Sequence, residues 1–182
     1  MSRKPNTMKR IFGIAILATL MACNQTAQKS SDGADTTQAN AESTADVKIK
    51  DNKKSEILAQ YIALKDELVK SDAAAVQKSA AALKTSLANY EGCEPTAEVA
   101  GKIASDTSLE AQRKHFTILS ADVIALFKNA EIENGKIYVQ HCPMANKGDG
   151  GDWLSVDKKI RNPYYGDEML ECGSVVEEIA KK

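Results

Sequence analysis

The chain has 182 residues, of which 43% are hydrophobic and only 5% aromatic, and its formal net charge is -1. This length suits one folded domain with appendages, and a composition poor in aromatic residues favours helices. The near-neutral charge argues against nucleic-acid binding, which depends on neutralising phosphates. The composition also excludes a protein with many membrane spans.

The first 22 residues have the order of charge and hydrophobicity that is typical of a secretory signal peptide. Basic residues precede an apolar run over residues 11–21, which is too short to span a bilayer as a helix of about 20 residues. The run closes with Leu20-Met21-Ala22-Cys23, which resembles a bacterial lipobox. We therefore predict a lipoprotein signal peptide over residues 1–22 and lipidation at Cys23.

The charge of the mature chain indicates how it is attached to a membrane. Removal of residues 1–22 leaves 20 Lys and Arg against 25 Asp and Glu, a net charge of -5. Such a chain does not bind anionic lipid by charge, so the acyl chains would be its only membrane anchor. Asn24 follows the cysteine where Asp or Glu would indicate inner-membrane retention. We expect a protein of the cell envelope, with the outer membrane favoured.

Residues 23–51 are predicted to be a disordered tether. Up to about Lys50 they are mainly Ser, Thr, Ala, Gln and Asp, with almost no large apolar side chain. Such a segment buries too little surface to offset its ordering entropy. The folded domain is therefore expected over residues 52–182, in the periplasm.

The first half of this domain is predicted to be helical. Apolar residues recur at helical spacing over residues 55–70, and a second such stripe follows the cap residues Ser71 and Asp72 and ends at Gly92. A third helix starts at Pro95, and a capping box of Thr107 and Glu110 opens a fourth. Amphipathic helices with short links bury their stripes against one another, so the predicted fold class is all-α, an up-and-down helical bundle.

The C-terminal part is predicted to be rich in loops. Residues 136–140 alternate between apolar and polar and predict one short extended piece, whereas residues 141–173 are irregular. Ser174-Val175-Val176-Glu177 has the form of a capping box and predicts a last short helix.

Four sulfur-containing residues flank the irregular segment, in pairs two and three residues apart: Cys142, Met144, Met169 and Cys172. Thiolate and thioether sulfurs are soft donors that suit Cu(I), and His141 or the face of Trp153 would complete such a site. Alternatively, Cys142 and Cys172 form a disulfide, since the compartment is oxidising, and the methionines fill the core. Buried free thiols are the third interpretation.

Two further residues are second-tier candidates. His115 lies beside the core face of the fourth helix, where a lone histidine is more often structural than a ligand. Cys93 lies in a turn and is an odd cysteine once Cys23 is lipidated. The chain contains none of the nucleophile, phosphate-loop or zinc-protease motifs, so no enzyme activity is predicted.

Taken together, these motifs resemble one exported bacterial domain family of unknown function. The resemblance covers residues 55–179 and is carried by Tyr61-x-x-Leu64-Lys65-Asp66, His115-Phe116, Cys142-Pro143-Met144-Ala145, Trp153-Leu154-Ser155, Asn162-Pro163-Tyr164-Tyr165-Gly166-Asp167 and Met169-Leu170-x-Cys172-Gly173. That family occurs as lipoproteins and fused to the C-terminal end of membrane-fusion proteins of copper/silver efflux pumps of the resistance–nodulation–division (RND) type.

The resemblance implies heavy-metal handling. Cys142-Pro143-Met144 is similar to the core of a small metal-binding module of such adaptors, although Ala145 stands where that module has His. The hypothesis is a lipoprotein that binds Cu(I) or Ag(I), with Zn(II) as a lesser alternative, and buffers the ion or delivers it to an RND membrane-fusion protein. The rival is an envelope interaction module, stapled by a Cys142–Cys172 disulfide, with Trp153 and the Tyr164–Tyr165 pair exposed as an aromatic patch.

Overall fold

The computed structural model describes residues 46–182, so the predicted signal peptide, Cys23 and most of the predicted tether lie outside the described residues. The helices are α1 (Asn52–Val69), α2 (Ala73–Ala88), α3 (Glu94–Ser105) and α4 (Leu109–Phe127). The strands are β1 (Lys48–Ile49), β2 (Ile132–Asn134), β3 (Lys136–Cys142), β4 (Gly151–Ser155) and β5 (Ser174–Ala180). Within this range no helix has both the length and the apolar character that are needed to cross a membrane.

The first two helices form for reasons that the sequence makes visible. Asp51 and Asp72 precede α1 and α2, and the carboxylate of each accepts hydrogen bonds from two backbone N–H groups of the first turn, at 2.9–3.2 Å. These bonds satisfy donors that a helix start otherwise leaves free. The apolar stripes of both helices are buried, and the helices pack against each other across the link at residues 70–72.

The fourth helix begins later than the capping box predicted. Ser108, not Thr107, is the N-cap residue, and no side chain accepts a hydrogen bond there. The burial of the helix explains why it forms without that cap. Phe116, Leu119 and Phe127 are fully buried, and this packing outweighs the cap, which contributes only about 1 kcal/mol.

The strands form two antiparallel sheets. One pairs β1 with β2, and β1 lies within the segment predicted as tether, with Val47 and Ile49 buried. The other has the order β4-β3-β5, with β3 in the centre. Its β4 strand lies against α4, so the sheet covers one side of the helical layer.

The predicted all-α class is therefore wrong, and the fold is a mixed one with four helices and two antiparallel sheets in residues 46–182. The short extended piece predicted at residues 136–140 is the central strand β3. The last helix predicted from Ser174 is instead the strand β5, which pairs with β3. Val175 and Val176 are β-branched and favour a strand, and pairing with β3 satisfies backbone groups over the whole segment.

A chain of aromatic side chains links the helical layer to the sheet. Tyr61 of α1 stacks on Phe116 of α4 with ring centroids 5.6 Å apart, and Phe116 meets Tyr164 at 5.8 Å. Tyr164 in turn meets Trp153 of β4 edge-on at 6.1 Å. This chain fixes the distance between the two layers and leads to the part of the sheet where the cysteines lie.

Candidate functional site

Two cysteines meet at one end of the three-stranded sheet. Cys142 is the last residue of β3, and Cys172 lies two residues before β5. Because His141 pairs with Ser174, the two strand ends lie side by side, and the Sγ atoms of Cys142 and Cys172 are 2.9 Å apart. Cys142 is fully buried and Cys172 is partly exposed, so the pair is reached from the Cys172 side.

A buried asparagine fixes the loop that carries Cys172. The side-chain amide of Asn162 donates to the carbonyl of Cys172 at 3.0 Å, and its Oδ1 accepts from the backbone N–H of Tyr164 at 2.8 Å. Its backbone N–H donates to the carbonyl of Leu170 at 2.8 Å. Asn162 therefore closes residues 162–172 into a loop whose two ends are held together.

The wall beside Cys142 is made of aromatic rings and glycines. Trp153 lies opposite Gln140 in the register, so it shares a sheet face with Cys142, two residues further along β3. Its ring would lie 3.1 Å from a Cβ at Gly173, and the ring of Tyr164 only 2.6 Å from a Cβ at Gly151. Both rings need these glycines in order to pack here.

This packing has a consequence for the aromatic patch predicted in the rival interpretation. Trp153 is fully buried and Tyr164 is 6% exposed, so neither side chain presents a surface to a partner. The predicted patch is therefore wrong for Trp153 and Tyr164, whose rings belong to the core between the layers, and only Tyr165 is partly exposed. The indole Nε1–H of Trp153 is buried without a hydrogen-bond partner in residues 46–182.

The surroundings of Cys172 favour its protonated form in the absence of a ligand. The hydrogen bond with Cys142 raises the pKa of Cys172, and partial burial adds to this effect. A thiol is a weak ligand until it loses its proton, so ion binding here would release protons.

His141 does not join the two sulfurs. Successive residues of a strand point to opposite faces, so the side chain of His141 lies on the other side of the sheet from that of Cys142. There its Nδ1 is 2.8 Å from Oδ1 of Asp152, its cross-strand neighbour, and its ring lies over Gly150. His141 and Asp152 form a partly exposed pair of their own.

The two methionines differ in their surroundings. Met144 is 53% exposed, and its carbonyl accepts a hydrogen bond from the hydroxyl of Tyr165 at 2.6 Å. Met169 is partly buried, and its carbonyl accepts from the N–H of Cys172 at 3.1 Å, which places both in one tight turn. Met169 is thus the methionine held next to the cysteine pair along the chain.

The second-tier residues lie in the helical layer. His115 of α4 is bonded through Nδ1 to Oδ2 of Asp106 at 2.8 Å. Cys93 is the N-cap residue of α3, is 8% exposed, and has its pKa raised mainly by burial. Within residues 46–182, no group of three or more His, Cys, Asp or Glu side chains is arranged to hold a metal ion.

The sequence interpretation missed the residues that support the pair. An Asn before a Pro indicates a turn, and Asn162 does form one with the N–H of Tyr164. Its second bond, to the carbonyl of Cys172, joins residues ten positions apart, and no local sequence pattern indicates it. Gly151 is likewise needed because of Tyr164, a residue distant in sequence.

Comparison with known proteins reaches only part of the chain. Residues 57–135 match the model of a family described as a protein of unknown function (DUF3347). This segment runs from within α1 to the end of β2, and the two cysteines of the site follow it. No curated protein and no solved structure matches the chain.

Proposed function

We propose that this protein is a lipid-anchored, periplasm-facing lipoprotein that binds a soft metal ion, Cu(I) or Ag(I), through the thiolates of Cys142 and Cys172. The observation that carries the proposal is the distance of 2.9 Å between the two sulfur atoms, with one of them partly exposed. Two thiolates are the donor set that soft ions prefer over oxygen and imidazole ligands.

The pair needs only a small movement to accept an ion. Two sulfurs bound to one ion at about 2.3 Å lie roughly 3.8–4.0 Å apart in tetrahedral or trigonal geometry, so the pair would open by about 1 Å. The backbone of Cys172 is held by Asn162 and Met169, so the movement is a rotation of its partly exposed side chain, whereas the side chain of Cys142 is fully buried at the end of the central strand. The ion would enter from the exposed Cys172 side.

Met169 is the third ligand in this proposal. It shares a tight turn with Cys172, and its thioether is a soft donor that binds weakly enough to exchange. Met144, more than half exposed and two residues after Cys142, would receive the ion first or pass it on. His141 is left out of the ligand set because it is bonded to Asp152 on the opposite face.

Exchange through exposed thioethers suits a carrier. The ion would be buffered in the periplasm or delivered to an RND membrane-fusion protein, with Met144 and the Cys172 side facing that partner. The support is the graded exposure, from buried Cys142 through partly exposed Cys172 to exposed Met144.

The same distance supports a second candidate function. A disulfide requires the sulfurs at about 2.05 Å, so Cys142 and Cys172 are also placed to be oxidised into a staple. The protein would then be an envelope interaction module without metal. The two proposals differ in whether reduced thiols bind an ion.

The test is anaerobic competition for Cu(I) against a chromophoric chelator. It uses the full chain with Cys23→Ser, which prevents lipidation, both reduced and oxidised. We expect one Cu(I) per reduced chain, and at least a hundredfold loss of affinity in the Cys142→Ser/Cys172→Ser variant. Cys93→Ser is the matched control and should bind as the parent chain does. Equal affinity in the double variant, or no binding by the reduced chain, would refute the metal proposal.

A further inference from the structure

A cleft of about 560 Å³ opens between the N-terminal half of α4, the loop at residues 145–150 and the loop at residues 164–168. This volume is within the range of about 300–1,000 Å³ that small-molecule sites occupy. Tyr164 separates the cleft from Cys142, since its ring lines the cleft and also packs over Gly151, the strand neighbour of Cys142. The cleft is therefore distinct from the cysteine pair.

Charges of both signs converge on this cleft without pairing. The lining contains three cationic and three anionic side chains: Arg113, Lys114, Lys147, Glu110, Asp149 and Glu168. None of the ion pairs in residues 46–182 includes any of these six. Opposite charges that line one cleft and stay apart leave both signs available to a ligand.

Arg113 is the best oriented of these groups. Its Nε donates to the carbonyl of Pro163 at 2.9 Å, and its Nη2 donates to the carbonyl of Leu68 at 3.2 Å and to Oγ of Ser71 at 2.9 Å. These three acceptors are neutral, whereas burial lowers the pKa of Arg113 and the charge of Glu168 acts in the opposite direction. The three bonds use the single N–H of Nε and both N–H groups of Nη2, so Nη1 is the nitrogen that this half-buried guanidinium can still offer to a carboxylate.

The opposite wall is held in a costly conformation. The backbone φ angles of Asn146 and Lys147 are 53° and 63°. Residues other than glycine rarely adopt such positive values. Asn146 stabilises this wall by donating to the carbonyl of Gly150 at 2.8 Å and accepting from the hydroxyl of Thr117 on α4 at 3.2 Å. Residues kept in such conformations tend to cluster at ligand sites.

We propose that this cleft binds a small zwitterion, an amino acid or a short peptide, whose carboxylate meets Arg113 and whose ammonium group meets the acidic side chains. The hydroxyl of Tyr165 is fixed by the carbonyl of Met144, so its ring forms a rigid side wall for the ligand's carbon atoms. A ligand with one charge would leave the groups of the other sign unmatched. Among the described cysteines, none of Cys93, Cys142 and Cys172 lines the cleft, so the binding of a zwitterion does not require the sulfur pair of the metal proposal.

The test is a titration of the Cys23→Ser full chain, followed by amide NMR shifts and calorimetry. The probes are the twenty L-amino acids and the peptides Gly-Gly and Ala-Ala, with propionate and ethylammonium as ligands of single charge. We expect saturable shifts at Lys147 and Tyr165 for one or more zwitterions, and at least tenfold weaker binding of the single-charge probes. Lys114→Gln and Lys147→Gln together should weaken binding at least fivefold.

Unchanged binding in the Lys114→Gln/Lys147→Gln variant would overturn the inference, and two control variants accompany it. Lys78→Gln neutralises an exposed lysine of α2 outside the cleft and should bind as the parent chain does. Cys142→Ser/Cys172→Ser should keep zwitterion binding, which separates this proposal from that of the metal site. No saturable binding by any zwitterion, or equal binding of propionate, would overturn the inference.

Discussion

The hydroxyl of Tyr61 in α1 accepts a hydrogen bond from the backbone N–H of Leu154 in β4 at 3.2 Å. The same hydroxyl shares a bond of 2.7 Å with Oγ of Ser120 in α4. One buried phenol thus joins two helices to the sheet. Leu154 lies in the strand that also carries Gly151 and Trp153, so this bond helps to position the strand against which the cysteine pair packs.

Tyr61→Phe should lower the free energy of unfolding by about 1–3 kcal/mol, because it leaves the N–H of Leu154 buried without a partner. Urea unfolding at pH 7 measures this loss. Ser120→Ala is the matched control, since it removes only the bond to Tyr61 and keeps that to Leu154, so it should cost less. Equal losses in the two variants would contradict the bridging role.

The same residue predicts a dependence on alkaline pH. Burial raises the pKa of Tyr61 above its unfolded value of about 10. Its contribution to stability is therefore complete below pH 10 and is lost as the pH rises towards the folded pKa, by up to about 1.4 kcal/mol per pH unit. Tyr61→Phe should reduce this slope above pH 10, although Tyr164, whose pKa burial also raises, keeps part of it. An unchanged slope would exclude Tyr61 as its source.

Oxidation of the cysteine pair should stabilise the fold. A disulfide between Cys142 and Cys172, 30 positions apart, would remove chain entropy from the unfolded state and contribute about 3–4 kcal/mol. Urea unfolding of oxidised and reduced chains measures the difference. Cys172→Ala should abolish it, and Cys93→Ala should leave it unchanged. A difference that persists in Cys172→Ala would place the bond elsewhere.

The hydrogen bond between the two thiols should appear in the reactivity of Cys172. Because that bond raises the pKa of Cys172, alkylation of the reduced chain by iodoacetamide should show its inflection above the pH of an ordinary cysteine. Cys142→Ala removes the bond and should move the inflection to lower pH. Mass spectrometry of the alkylated peptide gives the rate at each pH. An inflection that does not move would mean that burial, not Cys142, raises this pKa.

Some of these relationships could be predicted from sequence, and others could not. Helix spacing and the cap Asp72 act within one turn, so the helices were predictable from local pattern, whereas Asp51, predicted as the end of the tether, is the N-cap of α1. Ser174–Glu177 matched a helix start, yet pairing with β3 makes it a strand, which a local pattern does not contain. Sequence proximity also grouped His141 with Cys142, but strand alternation places their side chains on opposite faces. Cys142 and Cys172 meet only because β5 pairs with β3, a long-range contact. The sequence therefore left the pairing of these cysteines as one of several alternatives.

Gly151 should be essential for the wall beside Cys142. A Cβ there would lie 2.6 Å from the ring of Tyr164, so Gly151→Ala should displace the ring and cost about 1–3 kcal/mol. Gly101→Ala is the matched control. Its Cβ meets only the flexible end of Lys84 at 3.4 Å within a helix, so this variant should be neutral or stabilised by up to about 1 kcal/mol. Thermal unfolding measures the stability of both variants. Similar losses of stability would mean that the ring of Tyr164 moves aside at little cost.

Asn162 should control the geometry of the sulfur pair through the loop that it closes. Asn162→Ser keeps a hydroxyl within reach of the N–H of Tyr164, two residues on, but loses the bond to the carbonyl of Cys172. Asn162→Ala loses both bonds and should cost about 1 kcal/mol more than Asn162→Ser in urea unfolding.

In both variants Cys172 is less restrained, so the effective concentration of its thiol near the thiol of Cys142 falls. We expect the equilibrium of the pair with oxidised dithiothreitol to shift about tenfold towards the free thiols in each variant, which corresponds to the loss of about 1.4 kcal/mol. Urea unfolding should distinguish Asn162→Ser from Asn162→Ala, whereas the thiol equilibrium should not. The two measurements therefore separate the stability of the loop from the geometry of the sulfur pair. A wild-type thiol equilibrium in Asn162→Ser would show that β5 alone, through its pairing with β3, holds Cys172 in place.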